Sequence, residues 1–240
     1  EIAQIPPGQD PALGQEATPA QLADAAQASG CRSIAYTYTE PTVFFEYALD
    51  TAARAHAQGL ANLVVTNGYM TVDMIEAFQP HLDAANVDLK AFREETYRQY
   101  VGARLQPVLD SLTRIKALGI WLEVTTLLIP GINDSDAELR DVAAFLFQEL
   151  GPDTPWHVSG FFPAHQMTDV PPTPLPAIRR AAELGWESGL EYVYAPDERG
   201  EVHTHCPECG AVLVRRSGFR LHENRITAGS ECPGCGVEIP

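Results

Sequence analysis

Four cysteines in the last 35 residues form the clearest candidate site. They occur as two Cys-Pro-x-Cys-Gly sequences, with the sulfurs at Cys206 and Cys209 and at Cys232 and Cys235. Each short spacing lets two sulfurs converge on one metal from a tight turn, and in a reducing compartment such pairs are metal ligands rather than disulfides. Four thiolates complete a tetrahedral site, which predicts structural zinc, although iron fits the same ligands. We expect a four-cysteine zinc ribbon over residues 205–240, with no catalytic role.

Polar side chains also recur at every second position inside otherwise apolar segments. Asn86, Asp88 and Lys90 share one face of a predicted strand, because side chains alternate along a strand. The same spacing recurs in two later segments: Glu123 with Thr125, and His157 with Ser159. Since the strands of a buried parallel sheet are normally apolar throughout, these faces indicate a lumen that holds a polar ligand.

These residues are positioned by short β-type runs that alternate with helical stretches. The predicted strands are 33–38, 63–66, 85–90, 121–129 and 156–160, with a further one at 190–194. The predicted helices are 19–30, 43–58, 72–78, 94–100, 106–118, 135–150 and 174–188. Strands separated by helices predict βα units and a parallel sheet. Without a Gly-x-Gly-x-x-Gly sequence after a strand, a barrel is favoured over a dinucleotide-binding fold, and five or six units make it partial, of the (β/α)6 type.

The order of the elements divides the chain into two predicted domains. Residues 1–195 form the partial TIM-like barrel, after an irregular lead-in over Glu1–Pro19, and a short linker at residues 196–204 precedes the ribbon. Functional groups of a parallel barrel gather at the carboxyl ends of its strands. We expect the remaining cysteine, Cys31, to be a small buried apolar residue.

Composition restricts the function further. The net charge of −16 over 240 residues argues against a general binder of nucleic acid or anionic membranes, because phosphate neutralisation needs clustered Lys and Arg. No apolar run reaches the ~20 residues that span a bilayer, and the first residues lack the basic flank and apolar core of a signal peptide. We therefore expect a cytoplasmic protein with no membrane partner.

Five ordered segments resemble a known family. They are Ile34-Ala-Tyr-Thr-Tyr-Thr-Glu40-Pro41-Thr42, Val65-Thr-Asn67-Gly68-Tyr69, Asn86-Val-Asp88-Leu-Lys90, Leu128-Ile-Pro130-Gly131-Ile-Asn133-Asp134 and Pro155-Trp156-His157-Val158-Ser159. Together with the two cysteine pairs, they resemble the AmmeMemoRadiSam-system radical S-adenosylmethionine (radical SAM) enzymes, relatives of the pyruvate formate-lyase-activating enzymes. The resemblance covers nearly the whole chain and implies a radical SAM barrel.

The resemblance also implies the chemistry and its cofactors. Family members use a [4Fe–4S] cluster to cleave S-adenosylmethionine (SAM) reductively to a 5′-deoxyadenosyl radical, while the protein binds and orients SAM and excludes water. By similarity, Tyr38, Thr39 and Glu40 stand in the segment that holds the methionyl ammonium. Asp88 and Lys90 stand where an Asp-x-Lys pair lies near the SAM ribose and carboxylate. A carboxylate suits an ammonium and a lysine suits a carboxylate.

Asn67 and His157 belong to the matched segments and are further candidates for binding SAM. Several of these positions also have plain structural explanations. Asn67-Gly68 is a common turn pair, Glu40 before Pro41 suits a helix start, and His157 could be a satisfied core histidine. No residue is assigned a catalytic role, and the target of the radical is not indicated. A protein or a peptide is among the candidates for that substrate.

Two departures from the family pattern stand out. The family carries a Cys-x3-Cys-x2-Cys motif for the cluster, and this sequence begins with Glu1-Ile2-Ala3-Gln4, where that loop would just have ended. One thiolate at Cys31 cannot replace three cluster ligands. We therefore expect a chain truncated at its N-terminus, lacking the first barrel strand, inactive as given, and of low stability because the edge of strand 33–38 is exposed. Phe162 stands where many relatives have histidine.

Two functions of other classes remain open. Lys90 could form a Schiff base in a barrel lyase, although Asp88 beside it should raise rather than lower the lysine pKa. Alternatively, the chain could be a non-catalytic interaction protein whose partner binds the ribbon.

Overall fold

Helices and parallel strands alternate along the computed structural model, which describes residues 16–240. The α-helices are α1 (Pro19–Ala28), α2 (Phe45–Ala57), α3 (Val72–Phe78), α4 (Glu94–Thr96), α5 (Gln106–Ala117), α6 (Asp136–Phe145) and α7 (Leu175–Glu187). The parallel strands are β1 (Ser33–Tyr36), β2 (Ala61–Thr66), β3 (Ala84–Asp88), β4 (Trp121–Leu128), β5 (Trp156–Gly160) and β6 (Val193–Tyr194). Shorter helical turns cover Pro41–Phe44, Gln79–His81, Tyr97–Val101 and Leu146–Leu150.

The described residues divide into two units. The first contains the residues up to Leu89 together with Gln106–Glu123, and the second contains Lys90–Leu105 and Val124–Pro240. The first fifteen residues, which include most of the predicted lead-in and the Glu1–Gln4 start, lie outside the described part of the chain.

In the first unit, β1, β2 and β3 are parallel neighbours in chain order. Tyr36 of β1 is level with Val64 of β2, and Thr66 of β2 is level with Val87 of β3. Alternate residues of β2 are buried, which is the pattern of a sheet with one face covered. Two of these buried positions are polar, and both have partners: Asn62 accepts a hydrogen bond from the Tyr36 hydroxyl (2.9 Å), and the Thr66 hydroxyl donates to the Glu40 carboxylate (2.6 Å).

In the second unit, the part of β4 from Val124 onwards, β5 and β6 are again parallel and in chain order. Trp156 of β5 is fully buried, and its indole N–H donates to the Thr126 hydroxyl on β4 (3.0 Å). Helix α7 approaches this tryptophan through Gly185, where an added Cβ would lie 3.0 Å from the indole ring. The glycine therefore allows the close packing of helix on sheet.

The ribbon residues form a small antiparallel sheet within the second unit. Its strands are β7 (Val202–His205), β8 (Val212–Ser217) and β9 (Arg220–Asn224), in that order. Strands β8 and β9 make the hairpin that lies between the two cysteine pairs in sequence. A small core forms beneath them from four buried residues: Cys206, Leu213, Cys232 and Ile239.

The predicted fold class is confirmed: the protein is α/β, with six parallel strands and a C-terminal four-cysteine cluster on a small antiparallel sheet. Some local expectations are wrong. The last parallel strand covers only Val193–Tyr194, and Cys31 is exposed because it lies in the turn between α1 and β1. No helix among residues 16–240 is both long and apolar enough to cross a membrane.

Candidate functional site

Glu40 lies just after β1, and its carboxylate is held by three donors. The Thr66 hydroxyl donates to Oε1 (2.6 Å), the Asn67 backbone N–H donates to Oε2 (2.8 Å), and the Thr42 backbone N–H donates to Oε1 (3.3 Å). The Thr42 contact makes Glu40 the cap of the helical turn at Pro41–Phe44, as its structural explanation predicted. A carboxylate has about four acceptor positions, so roughly one remains for a ligand.

The turn after β2 fixes two of these donors. The Asn67 side chain accepts from the Tyr69 backbone N–H (2.8 Å), and the Thr66 hydroxyl accepts from the Gly68 N–H (3.1 Å) while donating to Glu40. Gly68 has a φ of +72°, and an added Cβ would lie 2.6 Å from Val87 Cγ1. The turn therefore requires glycine, and it orients the groups that hold the Glu40 carboxylate.

Asp88 reaches the same edge of the first unit. Val87 of β3 is paired with Thr66 of β2. Asp88 and Asn67 are the residues that follow this pair on the two strands. Along β3, Ala85 and Val87 are buried, whereas Asn86 and Asp88 are half-buried. The predicted division of this strand into an apolar and a polar face is thus observed. The carboxyl ends of β1, β2 and β3 bring Glu40, Asn67 and Asp88 to one edge.

Tyr38 and Thr39 are exposed beside Glu40, with Tyr38 at 73% exposure, and the peptide bond between them is cis. They extend the chain from the end of β1 to the Glu40 carboxylate. Both predicted residues therefore lie at an open edge of the first unit rather than in its core.

Lys90 belongs to the second unit and lies two residues beyond the end of β3, so the predicted strand was too long. Its backbone is fixed on both sides: its N–H donates to the Tyr97 hydroxyl (3.2 Å), and its carbonyl accepts from the Asn133 side chain (2.7 Å). Asn133 is buried and also bonds to Leu127 O (2.9 Å) and Ile129 N (2.7 Å). Asn133 therefore ties the Lys90 segment to the end of β4.

Sequence reasoning missed this role of Asn133, because Asn-Asp-Ser before a helix predicts a cap. The cap is Ser135, whose hydroxyl accepts from the Glu138 N–H (3.3 Å). Asp134 instead accepts from the Gly131 N–H (2.8 Å). The sequence contains one signal for this role: the Pro130-Gly131 turn before Asn133, which can direct the Asn133 side chain back towards β4.

His157 on β5 packs against an aromatic neighbour. Its ring stacks on Tyr194 of β6 with centroids 4.8 Å apart, and the Arg216 guanidinium lies 4.7 Å from the same tyrosine ring. The Tyr194 hydroxyl hydrogen-bonds to Thr204 (3.2 Å). His157 is half-buried in this stack, which gives it a structural role; its predicted contact with SAM stays a prediction. Phe162, in the loop that follows β5, is 76% exposed.

The four cysteines converge as their spacing predicted. Cys206 and Cys235 sulfurs lie 3.5 Å apart, Cys209 and Cys232 sulfurs lie 3.7 Å apart, and all four are within 4.8 Å of one another. Tetrahedral zinc with Zn–S bonds of about 2.3 Å places its sulfurs about 3.8 Å apart, so the geometry fits a metal.

The turn of the second cysteine pair also favours a thiolate at Cys232. The Gly210 N–H donates to the Cys206 carbonyl (2.9 Å), and the Gly236 N–H donates to the Cys232 carbonyl (2.9 Å). The N–H of Gly234, helped by that of Cys235, lowers the pKa of Cys232 to about 6. A thiolate is the form that binds metal, so this turn is suited to a metal ligand.

The comparisons with known proteins decide the family. Residues 6–143 match the model of the radical SAM superfamily. The chain belongs to this superfamily. A protein of Methanocaldococcus jannaschii, described as uncharacterized, is 39% identical over 99% of this radical SAM chain and 71% of its own length. The isethionate sulfite-lyase activating enzyme of Nitratidesulfovibrio vulgaris is 30% identical over 47% of this chain and 37% of its own length.

A solved structure supports the fold. A domain of the pyruvate-formate lyase-activating enzyme from Bacteroides vulgatus superposes with a TM-score of 0.58 and 16% identity. The match covers 67% of this radical SAM chain and 96% of that domain. At this identity the likeness concerns the fold alone, and it agrees with the partial barrel.

The iron–sulfur cluster that the superfamily implies finds no fitting ligand set in the described residues. Among residues 16–240, cysteine sulfurs gather only at the four-cysteine site, and Cys31 is exposed and separate from it. Four thiolates fill every position of a tetrahedral metal and leave none open for SAM. The four-cysteine site is therefore not suited to be the cluster that acts on SAM.

Proposed function

We propose that the edge formed by Glu40, Asn67 and Asp88 binds SAM, and that the protein is an AmmeMemoRadiSam-system member of the radical SAM superfamily. The observation that carries the proposal is the Glu40 carboxylate, held by three donors beyond the carboxyl end of β1. A carboxylate fixed by neighbours loses little freedom on binding and still has acceptor capacity for an ammonium.

Each candidate residue has a distinct proposed role. Glu40 accepts from the methionyl ammonium, and Asp88 accepts from ribose hydroxyls. Lys90, whose backbone is fixed by Asn133 and Tyr97, pairs with the methionyl carboxylate. Tyr38, Thr39, Asn67 and His157 complete the proposed set of residues for SAM.

The proposal is confined to SAM binding. Outside the four-cysteine site the sequence has one cysteine, Cys31, which is two short of the three thiolates that the superfamily's cluster needs. We expect residues 1–240 by themselves to bind SAM without cleaving it. Anaerobic reconstitution of a protein with all four ribbon cysteines replaced should give no iron–sulfur absorption, and a cluster spectrum from that variant would contradict this expectation.

Three ligands test the assignment of Glu40. SAM and S-adenosylhomocysteine carry the amino-acid end, whereas 5′-methylthioadenosine lacks it. Glu40→Gln keeps the size of the side chain and removes its charge, so it should weaken the first two ligands about tenfold and leave the third unchanged, since a charged hydrogen bond is worth about 1.5–3 kcal/mol. Equal weakening of all three would show that Glu40 acts only by shaping the turn. Glu46→Gln, at an exposed glutamate of α2, is the matched control.

We further propose that the four-cysteine site holds structural zinc and that residues 205–240 form the ribbon domain beside a barrel over residues 1–195. The sulfur geometry supports zinc, and the small core around Leu213 supports a fold organised by the metal. Elemental analysis of protein purified without added metal should give one zinc per chain. One iron per chain, with a visible thiolate-to-iron band, would contradict this assignment.

The substrate is proposed at the level of class. The names of two relatives, the isethionate sulfite-lyase activating enzyme and the pyruvate-formate lyase-activating enzyme, describe proteins that activate other enzymes. We propose a protein or peptide substrate for this chain and a cytoplasmic location. The net charge of −16 supports the absence of nucleic-acid and anionic-membrane partners.

A further inference from the structure

Three stacked side chains join the parallel sheet of the second unit to the small antiparallel sheet. The His157 ring on β5 lies on the Tyr194 ring of β6, with centroids 4.8 Å apart and 28° between the ring planes. The guanidinium of Arg216 on β8 lies 4.7 Å from the centroid of the same tyrosine ring. The Tyr194 hydroxyl also lies 3.2 Å from the Thr204 hydroxyl on β7. Tyr194 therefore links His157 to two strands of the antiparallel sheet.

His157 belongs to the polar face of the parallel sheet. It is level with Thr125 of β4 on one side and with Tyr194 of β6 on the other. Level residues of neighbouring parallel strands point to the same face, so the three side chains form a row across the sheet. Because β6 is the last strand in the sheet order, this row ends at Tyr194, where Arg216 contacts it. The row lies on the face for which the sequence predicts a polar ligand.

Arg216 differs from the arginine that precedes it on β8. Arg215 donates to the Glu223 carboxylate on β9 (3.1 Å), which is an ordinary ion pair of a hairpin. Arg216 forms no ion pair with any residue in the range 16–240, although the chain has a net charge of −16. Its guanidinium lies at the Tyr194 ring instead, and the negative face of an aromatic ring attracts a cation. We infer that contact with this ring is the role of the Arg216 side chain.

The strand that carries Arg216 is anchored by the four-cysteine site. Leu213 of the same strand is fully buried in the small core that contains Cys206 and Cys232. On the neighbouring strand β7, Thr204 is level with Val214, and this strand ends one residue before Cys206. A core this small is organised by the metal that its thiolates bind. The metal therefore fixes both ribbon groups that contact Tyr194.

We propose that Arg216 is a positioning residue, which acts through Tyr194 to hold the His157 ring on the polar face of the sheet. The metal bound by the four cysteines thereby affects how well the protein binds SAM. This consequence for SAM rests on the proposed function, in which His157 is one of the residues for SAM, whereas the effect on the ring does not. The ribbon then contributes to ligand binding in addition to being a structural domain.

Nuclear magnetic resonance of the zinc-loaded chain tests the effect on the ring. The carbon-bound ring protons of His157, assigned with His157→Gln, are shifted by the ring current of the stacked tyrosine. At about pH 8, where histidines are mostly neutral, Arg216→Ala should move these signals towards the values of an unstacked histidine. Arg215→Ala is the matched control and should leave them in place, and His81 in the first unit should give the same signals in every variant. Unmoved His157 signals in Arg216→Ala would overturn the proposal.

Removal of the metal tests whether the link runs through Arg216. A chelator should move the His157 signals of the parent chain, because the ribbon core loses the metal that organises it. The shift should be smaller in Arg216→Ala, where this contact is already absent. Equal shifts in the parent and in Arg216→Ala would overturn the role of Arg216 in the link.

Calorimetric titration measures the consequence for SAM. Arg216→Ala should bind SAM about threefold more weakly than the parent, which is the size of effect expected from one cation–π contact. Arg215→Ala should bind as the parent does. Arg216→Lys keeps a positive charge at the ring without the planar guanidinium, so its ring signals and affinity should fall between those of the parent and Arg216→Ala.

The two measurements separate the possible failures. Moved His157 signals with an unchanged affinity for SAM in Arg216→Ala would overturn the effect of Arg216 on binding. A parent chain that binds no SAM would contradict the proposed function, and the ring signals would then decide the role of Arg216 by themselves.

Discussion

Replacement of Gly68 by alanine tests whether the turn that orients Glu40 requires a residue without a side chain at this position. The backbone there has a φ of +72°, which costs an alanine about 1–2 kcal/mol, partly offset by about 0.4–1 kcal/mol of lost freedom in the unfolded chain. The new Cβ would also lie 2.6 Å from Val87 Cγ1 and 3.2 Å from Val108 Cγ1. Overpacking of this kind costs about 1–3 kcal/mol. We therefore expect Gly68→Ala to lower the free energy of unfolding by about 2–4 kcal/mol in total.

Gly30→Ala is the matched control. Its φ of +70° is nearly the same, and an added Cβ would have no atom within 4 Å among the described residues. Its free energy of unfolding should fall only by the cost of the backbone conformation, about 1 kcal/mol. The melting temperature of the Gly68 variant should be several degrees lower than that of the Gly30 variant. A change of 1 kcal/mol shifts the melting temperature by about 2–4 °C in a protein of this size. Equal melting of the two variants would refute the argument from the Val87 contact.

Three other changes have expected outcomes. Thr66→Val keeps the shape of a buried side chain but removes the hydroxyl that bonds both the Gly68 N–H and the Glu40 carboxylate. The free energy of unfolding measured in urea should fall by about 1–3 kcal/mol, and SAM binding should weaken. An unchanged affinity for SAM would contradict a role of these two hydrogen bonds in orienting Glu40. Asn133→Ala removes the side chain that bonds the carbonyls of Lys90 and Leu127 and the N–H of Ile129, so we expect about 3 kcal/mol of destabilisation. Asp134→Ala, at a residue whose side chain accepts from the Gly131 N–H, should cost less than half as much. Removal of metal with a chelator should lower the melting temperature and expose the sulfurs to thiol reagents; a melt that is insensitive to the chelator would argue against a structural metal.

Much of the fold could be predicted from local sequence. The helix Val72–Phe78 and the strand Trp156–Gly160 have the bounds that their patterns indicated, because apolar periodicity and flanking turn residues act within a few positions. The convergence of the four cysteines also followed from spacing, since each pair forms its own tight turn.

The errors arise where burial and backbone partners, rather than the local sequence pattern, decide the structure. Lys90 continues the alternation of β3 and was assigned to that strand, but its backbone is held by Asn133 and Tyr97 instead. Cys31 is exposed although free cysteines are usually buried, since its position in a turn depends on how α1 leads into β1. Sequence pattern specifies local conformation, whereas these features depend on partners that only the folded chain brings close.

The residues of the candidate site could be predicted from the sequence, but the hydrogen bonds that hold them could be predicted only in part. Glu40 was expected either to cap a helical turn or to hold a ligand, and the structure shows the cap together with two further donors from the end of β2. The Thr66 hydroxyl that joins these groups gave no signal of its own in sequence, because threonine is common in β-strands.

Calorimetric titration of residues 1–240 with SAM shows whether the edge formed by Glu40, Asn67 and Asp88 binds this ligand. We expect one SAM bound per chain, with affinity lowered about tenfold by Glu40→Gln and unchanged by Glu46→Gln. A chain that is folded by circular dichroism and zinc content but gives no heat of SAM binding, or one whose affinity is the same in both variants, would contradict it.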